Sequence, residues 1–355
     1  MSEEILNRAG EAFSPEDESQ ILDVIGRWLE RDVVDKVMAL EAADEYPHEM
    51  VERMKEFGLF GATIAQEYGG LGLPAATYAK IVTTISEVWM SLTGIFNSHL
   101  IMAAAVERFG TEEQKRRFLP RFATGELRGA LALTEPNCGT DLQAIRTKAV
   151  RDGDDWLING SKIFISNGSI ADFVTTACRT GGAGSGGISL IVVPTQTPGF
   201  RTGRRLRKLG THAADTAELF FEDCRVPGGN LVGEENRGFR LIMQGFEGER
   251  LVIAVMATAQ MRLMWEEARR YGHERHAFGR SLLGFQVWRH RLADVRTKIE
   301  AAHECAQIFG GMGYMEESLI ARLHRDTLAF TVGAGTSEMM REIIASSCGL
   351  TGQAA

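Results

Sequence analysis

The sequence predicts a multidomain α+β fold, with an N-terminal α-helical domain, a central β-barrel or sandwich, and a C-terminal helical bundle. Three observations predict it. Apolar residues recur at the helical period to about residue 126, at short-strand spacing from about 131 to 233, and at the helical period again to the end. The 355 residues exceed what one core usually fills, and the changes of period divide them at 1–127, 128–234 and 235–355. No helices alternate with the strands, which argues against a parallel α/β sheet.

The first region opens on Ser14, an N-cap before PEDESQILDVIGRWL with Pro15 at the first helical position. Asp17 stands where a capping box carries Glu or Gln, so the box is expected to be incomplete. Glu16, Asp17 and Glu18 still suit the positive end of the helix dipole, and Leu22, Ile25 and Leu29 form the apolar stripe. The glycine-rich loop IAQEYGGLGLP then leads to helical stretches around Thr77–Val106 and Thr111–Phe122. In the second region, WLINGSKIFISNG places Asn159-Gly160 between two β-rich runs, a strong hairpin signal. FVTTACRT, ISLIVVPT and AELFFEDCRVP follow as short strands separated by turn material such as GGAGSGG. After Glu234 the pattern is helical. No G-x-G-x-x-G opens a βαβ unit, so a Rossmann cofactor site is not expected, and GMGY and GAGTSE read on residues alone as helix-terminating loops.

Composition narrows the function. The chain is 44% hydrophobic and 24% charged, ordinary for a soluble globular protein. A net charge of -8 argues against nucleic acid but leaves a local pocket for an anionic ligand open. The five cysteines are odd in number and scattered, with no CxxC or Cys/His spacing, so neither a disulfide framework nor a metal site is expected. A reduced, cytoplasmic compartment fits. MSEEILNRAGEAF is acidic without an apolar core, and no apolar run is expected to reach the roughly 20 residues that span a bilayer.

Four segments carry chemistry: ALTEPNCGTD (Ala132–Asp141), GSKIFISNG (Gly160–Gly168), ERHAFGRSLLGFQ (Glu274–Gln286) and GGMGYMEESLIARLHRDTLAFTVGAGTSEMMREIIA. In this order they resemble the acyl-CoA dehydrogenase family, and EYGGLGLP and FGTEEQKRRFLP nearer the start fit it too. The resemblance implies FAD held between the central and C-terminal domains. Leu133 and Thr134 would lie along the pyrimidine edge of the flavin, where N–H and hydroxyl donors stabilise charge on the reduced ring. Phe164 occupies the place where most relatives put a tryptophan against the isoalloxazine, and Ser166 resembles the hydroxyl near flavin N5. Arg275, Phe278 and Gln286 match residues that hold the adenine and pyrophosphate half from a neighbouring subunit, an Arg fork suiting phosphate oxygens. Taken alone, Phe278 would be core packing and Arg275 a surface ion pair. Gln307, Gly310 and Gly311 match a close backbone approach to the same half, and Thr336, Ser337 and Glu338 would complete the flavin site. The family's electron acceptor is an electron-transfer flavoprotein, and its assembly a homo-oligomer, dimer or tetramer.

The family reaction is α,β-dehydrogenation of an acyl-CoA thioester. A carboxylate takes the α-proton while the β-hydrogen leaves as hydride to flavin N5. Many relatives place that Glu immediately before GTS, where this chain has Ala334. The isovaleryl-CoA and long-chain acyl-CoA dehydrogenase branch carries it instead on a helix of the C-terminal domain, and the matching segment GFEGERLVIAV puts Glu249 there. Helical geometry agrees. Glu249 falls on the apolar face of Val252, Val255, Met256 and Ala259, whereas Glu247 points elsewhere. Glu247, Arg250 and Thr140 resemble residues that touch substrate. Ala334 and Gly335 would sit at the thioester, where the Ala334 N–H can still donate to the carbonyl. A medium-to-long or branched acyl chain is implied. A reduced-flavin monooxygenase on the same fold, and a non-catalytic CoA-binding homologue, are the alternatives.

One departure stands out. Between LADV (Leu292–Val295) and QIFGG (Gln307–Gly311), relatives have a long helical hairpin, and here the joining segment is only RTKIEAAHECA. The C-terminal bundle is thus expected to be shortened by a helical hairpin.

Overall fold

The computed structural model describes residues 14–297, 318–327 and 329. The chain divides into two compact units. The first holds the described residues to Lys208 together with His212–Glu249, and the second holds Leu209–Thr211 and those from Arg250 onward.

The first unit begins with α1 (Pro15–Trp28), a π turn (Leu29–Val33), α2 (Val34–Ala43) and α3 (His48–Glu56). The cap of α1 corrects the expectation of an incomplete box. The Ser14 hydroxyl accepts from the Asp17 N–H at 3.1 Å, and the Asp17 carboxylate accepts from the Ser14 N–H at 3.0 Å. The shorter aspartate side chain thus closes the box with Ser14 in an ordinary extended N-cap conformation. Next come α4 (Ala75–Phe109) and α5 (Glu112–Ala123), the second capped by a Thr111–Gln114 box.

The α4 helix is two arms joined at Trp89, whose φ of -154° and ψ of 100° lie far from helical values. Nineteen residues separate Tyr78 from Asn97, yet the Tyr78 hydroxyl donates to Asn97 Oδ1 at 2.8 Å. A straight helix would hold these positions about 28 Å apart, so the arms fold back on each other. The Ser86 and Thr93 hydroxyls meet at 2.9 Å across the bend, and the Tyr78 and Phe96 rings lie 6.3 Å apart. Glu41 of α2 holds the bend. Its buried carboxylate accepts from the Trp89 indole N–H at 2.6 Å, from the Ser91 hydroxyl and from the His212 N–H. By length and composition α4 could cross a bilayer, contrary to the expectation that no run approaches that span. Its apolar stretch is instead 67% buried within the protein, and the bend turns it into a pair of core arms.

Eight strands follow: β1 (Gly129–Ala132), β2 (Lys148–Asp152), β3 (Asp155–Ser166), β4 (Phe173–Arg179), β5 (Ile188–Pro194), β6 (Phe200–Arg205), β7 (Thr216–Pro227) and β8 (Leu231–Val232). They make one sheet in the order β6-β7-β3-β2-β4-β5-β8, with β1 beside β4. Pairing is antiparallel except where β4 meets β1 and β2. Trp156, Ile158, Val174, Ile191, Leu219 and Phe221 form the centre of its core.

The hairpin expected at Asn159-Gly160 is not there. Strand β3 runs straight through both residues, and the β2–β3 turn comes earlier, at Gly153 with φ 64°. Asn159 and Asp223 exchange two hydrogen bonds, each 2.9 Å, at a bulge between β3 and β7. A side chain at Gly160 would meet Thr147 Cα at 2.6 Å. The glycine serves close strand approach and the asparagine a cross-strand bond, which the dipeptide alone cannot distinguish from a turn.

Helix α6 (Gly238–Glu274) starts in the first unit and continues in the second. The second unit adds the β9–β10 hairpin (His276–Ala277 with Arg280–Ser281), α7 (Gln286–Thr297) and α8 (Leu319–Thr327). Met264, Ala268, Leu292, Ile320 and Leu323 form its core. The residues beyond 297 in RTKIEAAHECA lie outside the described residues.

Candidate functional site

The segment after β1 is fixed from behind by a buried ion pair. Lys162 of β3 donates to Glu135 Oε1 and to the Leu133 carbonyl, both at 2.9 Å. Glu135 also accepts from the Arg146 and Thr147 N–H groups at 2.6 and 2.9 Å. Burial pushes the Glu135 carboxyl up, but Lys162 and these donors outweigh it and hold it below the ordinary carboxylate range. Glu135 is thus held in its ionised form, while burial lowers the Lys162 ammonium and Glu135 opposes that shift. The Ile163 N–H donates to the Thr134 carbonyl at 2.9 Å, completing a rigid Leu133–Thr134 backbone.

In front of this segment β3 bulges. Register shifts between Lys162 and Ile165, and Phe164, with a left-handed φ of 61°, is 65% exposed. A bulky ring in that conformation costs of order 1–3 kcal/mol and persists where function holds it. Ser166 is exposed on the same strand. Asn167, also left-handed at φ 60°, is buried and donates to the Ile95 carbonyl at 2.8 Å. A bare aromatic face, an exposed hydroxyl and a backbone pinned by Lys162 fit a planar ring system such as the isoalloxazine of FAD.

Glu249 is part-buried on α6. Asn97 Nδ2 donates to its Oε2 at 2.9 Å. Burial pushes the Glu249 carboxyl up and the Asn97 bond opposes it, leaving a value of about 7. That is where a general base works best at neutral pH. Val252, Met256 and Ala259 along the same helix are buried, as the apolar stripe requires. Sequence reasoning did not single out Asn97 or Tyr78. The one available signal is a lone amide inside the apolar run IFNSHLIM, and without the bend in α4 nothing links it to Tyr78.

The arm of α4 that carries Asn97 is tied to both strands of the aromatic face. Asn167 holds Ile95, and the Gly129 N–H donates to His99 Nδ1 at 3.0 Å, so the other ring nitrogen carries the proton and faces the Phe122 carbonyl at 3.1 Å. Burial holds His99 down at about 4, so it is neutral at physiological pH. It is a structural pin, not an acid–base group.

The remaining expected residues fall in three places. Thr140 is exposed in the loop after β1. In the second unit, Phe278 tips the β9–β10 hairpin with φ 52° and is 96% exposed, which disposes of core packing. Arg275 and Gln286 are exposed near it in sequence, the Arg275 carbonyl accepting from the Leu282 N–H at 2.8 Å. Arg250 is part-buried on α6. Gln307, Gly310, Gly311, Ala334, Gly335, Thr336, Ser337 and Glu338, and the side chain of Glu247, lie outside the described residues.

Comparison with known proteins agrees over most of the chain. Residues 15–126 match the family model "Acyl-CoA dehydrogenase, N-terminal domain", residues 130–224 the middle domain, and residues 236–304 and 296–349 the C-terminal domain. The last match is in two segments that overlap in RTKIEAAHE, the stretch where the sequence is expected to lack a helical hairpin. The long-chain specific acyl-CoA dehydrogenase of Sus scrofa mitochondria is 36% identical, over 90% of this chain and 84% of its own. Isovaleryl-CoA dehydrogenase of Pongo abelii is 31% identical, over 93% and 88%. The acyl-CoA dehydrogenase of Geobacillus kaustophilus superimposes with a TM-score of 0.90 at 36% identity, covering 95% of this chain and 99% of its own. With a helical, β-sheet and helical order and domain matches from residue 15 to 349, the chain belongs to the acyl-CoA dehydrogenase family of flavoprotein oxidoreductases.

Proposed function

We propose that this protein binds FAD and converts an acyl-CoA thioester, medium-to-long or branched in its acyl chain, to the trans-2-enoyl-CoA, with Glu249 as the base. The observation that carries the reading is the Glu249 carboxyl, raised to about 7 by burial and held, among the described residues, by the Asn97 amide. A carboxylate so placed takes an α-proton at neutral pH, and no other described carboxylate shares both that elevation and the branch-specific position. When bound, FAD supplies the hydride acceptor for the β-carbon.

The chain's own residues divide the work. Glu249 Oε1, the oxygen not held by Asn97, receives the α-proton. The Leu133–Thr134 backbone and Ser166 would line the flavin, and Phe164 would cover one face of it. Arg275, Phe278 and Gln286 would hold the adenine and pyrophosphate half bound to a second copy, with Gln307, Gly310, Gly311, Thr336, Ser337 and Glu338 completing the cradle. Thr140, Glu247, Arg250, Ala334 and Gly335 would contact the thioester and CoA. An electron-transfer flavoprotein is the acceptor this reading requires. The similarity to relatives named long-chain specific acyl-CoA dehydrogenase and isovaleryl-CoA dehydrogenase supports the choice of acyl group.

The test is an anaerobic titration with octanoyl-, dodecanoyl- and isovaleryl-CoA. Bleaching of the flavin without oxygen is expected for at least one, and Glu249→Gln is expected to bind FAD and abolish that bleaching. Full bleaching by Glu249→Gln would sink the assignment. Binding without any bleaching would favour a non-catalytic CoA-binding homologue, and a requirement for oxygen would favour a monooxygenase.

A further inference from the structure

We propose that Asn97 is a positioning residue for Glu249, and that Tyr78 fixes which end of the Asn97 amide faces the carboxylate. The inference rests on the reading of Glu249 as the base.

Three hydrogen-bonding groups lie in series. Tyr78 Oη is 2.8 Å from Asn97 Oδ1, and Asn97 Nδ2 is 2.9 Å from Glu249 Oε2. An amide can be turned either way round, so its orientation must come from its neighbours. Tyr78 supplies it. Burial, with Glu249 adding to it, pushes the phenol well above its ordinary value, so the hydroxyl stays protonated and donates. The Asn97 carbonyl therefore faces Tyr78, and the N–H that remains faces Glu249.

The consequence for the base is specific. A donor on the carboxylate favours its ionised form and opposes the desolvation that raises it. A lysine or arginine at this place would do the same far more strongly and leave a carboxylate too weak to take an α-proton. A neutral amide gives a smaller correction, which keeps the base elevated but ionisable. It also engages one oxygen only, so Oε1 is the atom left for the proton. Among the described residues, Asn97 is the one side chain hydrogen-bonded to Glu249, and Tyr78 is the titratable group facing the pair from α4.

The placement of Asn97 is equally specific. It lies midway between Ile95, bonded by Asn167 beside Ser166, and His99, bonded by Gly129 at the start of β1. A side chain at Gly129 would overlap the Met102 methyl at 1.6 Å, so Met102 of the arm packs directly over this strand. The arm that holds the base is thereby fixed to β1, which leads into Leu133 and Thr134, and to the end of β3, which carries Phe164. Asparagine is a poor residue for a helix interior and its side chain makes no bond to its own turn. What it bonds is Glu249 and Tyr78.

The experiment is the pH dependence of anaerobic flavin bleaching by dodecanoyl-CoA, between about pH 5 and about pH 9, where a base of this kind titrates. In the unchanged protein the rate rises as Glu249 ionises. In Asn97→Leu that rise is expected to move up by about one pH unit, with a roughly fivefold lower rate at neutral pH and recovery at high pH. FAD content is expected to stay the same. Tyr78→Phe, which removes one oxygen, is expected to move the rise in the same direction by less. An unmoved profile in flavin-loaded Asn97→Leu overturns the inference, and if that variant does not fold, an unmoved profile in Tyr78→Phe does so. Glu249→Gln separates the two readings. If it still bleaches, the base assignment itself falls; if it is inert while Asn97→Leu titrates normally, only the positioning role falls.

Discussion

Lys162 and Glu135 meet at 2.9 Å with their side chains 0% and 2% exposed, so the ion pair behind Leu133 is closed to water. Removing one partner strands the other's charge. Lys162→Met is expected to destabilise the protein by about 3–5 kcal/mol, read as a lower urea midpoint with an unchanged slope. It also frees the Leu133 carbonyl, so FAD affinity should fall with stability. Glu135→Gln keeps an acceptor for the Thr147 N–H and should cost less. Equal loss of stability with unaltered FAD affinity would detach the pair from the cofactor wall.

Glu249 makes stability depend on pH in the direction opposite to an ordinary surface carboxylate. Its folded value of about 7 lies above the 4.5 of an unperturbed glutamate. Below the lower value both states are protonated and the protein has its full stability. As pH rises through the folded value, the folded state must ionise a carboxylate it prefers to keep neutral, and stability is lost. Allowing for partial solvent access, the loss by about pH 8 is on the order of 2 kcal/mol. Glu249→Gln retains an acceptor for Asn97 and avoids that cost. Its melting temperature should exceed that of the unchanged, substrate-free protein at high pH and equal it near pH 5. A variant destabilised equally at both would show that the carboxyl is not elevated.

Phe164 combines backbone strain with an exposed ring that is proposed to cover the flavin. Replacing it with glycine, which adopts φ 61° freely, should stabilise the FAD-free protein by about 1 kcal/mol. The same change removes the exposed ring and should weaken FAD binding severalfold. Calorimetry of FAD binding and denaturation of the stripped protein give the two numbers independently. Loss of stability in the stripped protein would mean the ring packs internally after all.

The sequence was informative where the structure depends on repetition. Period and length marked the helices α1, α4 and α5 and the strands β4, β5 and β7 to within a few residues. The place of Glu249 on one helix with the buried Val252, Met256 and Ala259 was legible because a helix converts spacing into direction. The failures are places where tertiary geometry reassigns a local signal. Asn159-Gly160 has the composition of a turn, but its bonds are to Asp223 and its space is taken by Thr147. Asp17 closes a box usually ascribed to a longer side chain. Asn97 was invisible because its meaning comes from Tyr78, and that contact exists only if the helix bends at Trp89, which no glycine or proline announces.

That bend has a consequence for how the gene can change. Each residue added to or removed from the arm between Trp89 and Asn97 would rotate the asparagine by about 100° around the arm axis. It would swing away from Glu249, and Ile95 and His99 would leave their strand partners in the same step. Substitutions in this stretch can be absorbed one by one, whereas a change of length cannot. Register along this arm, counted from Trp89 to His99, is therefore what the contacts to Glu249, Asn167 and Gly129 share.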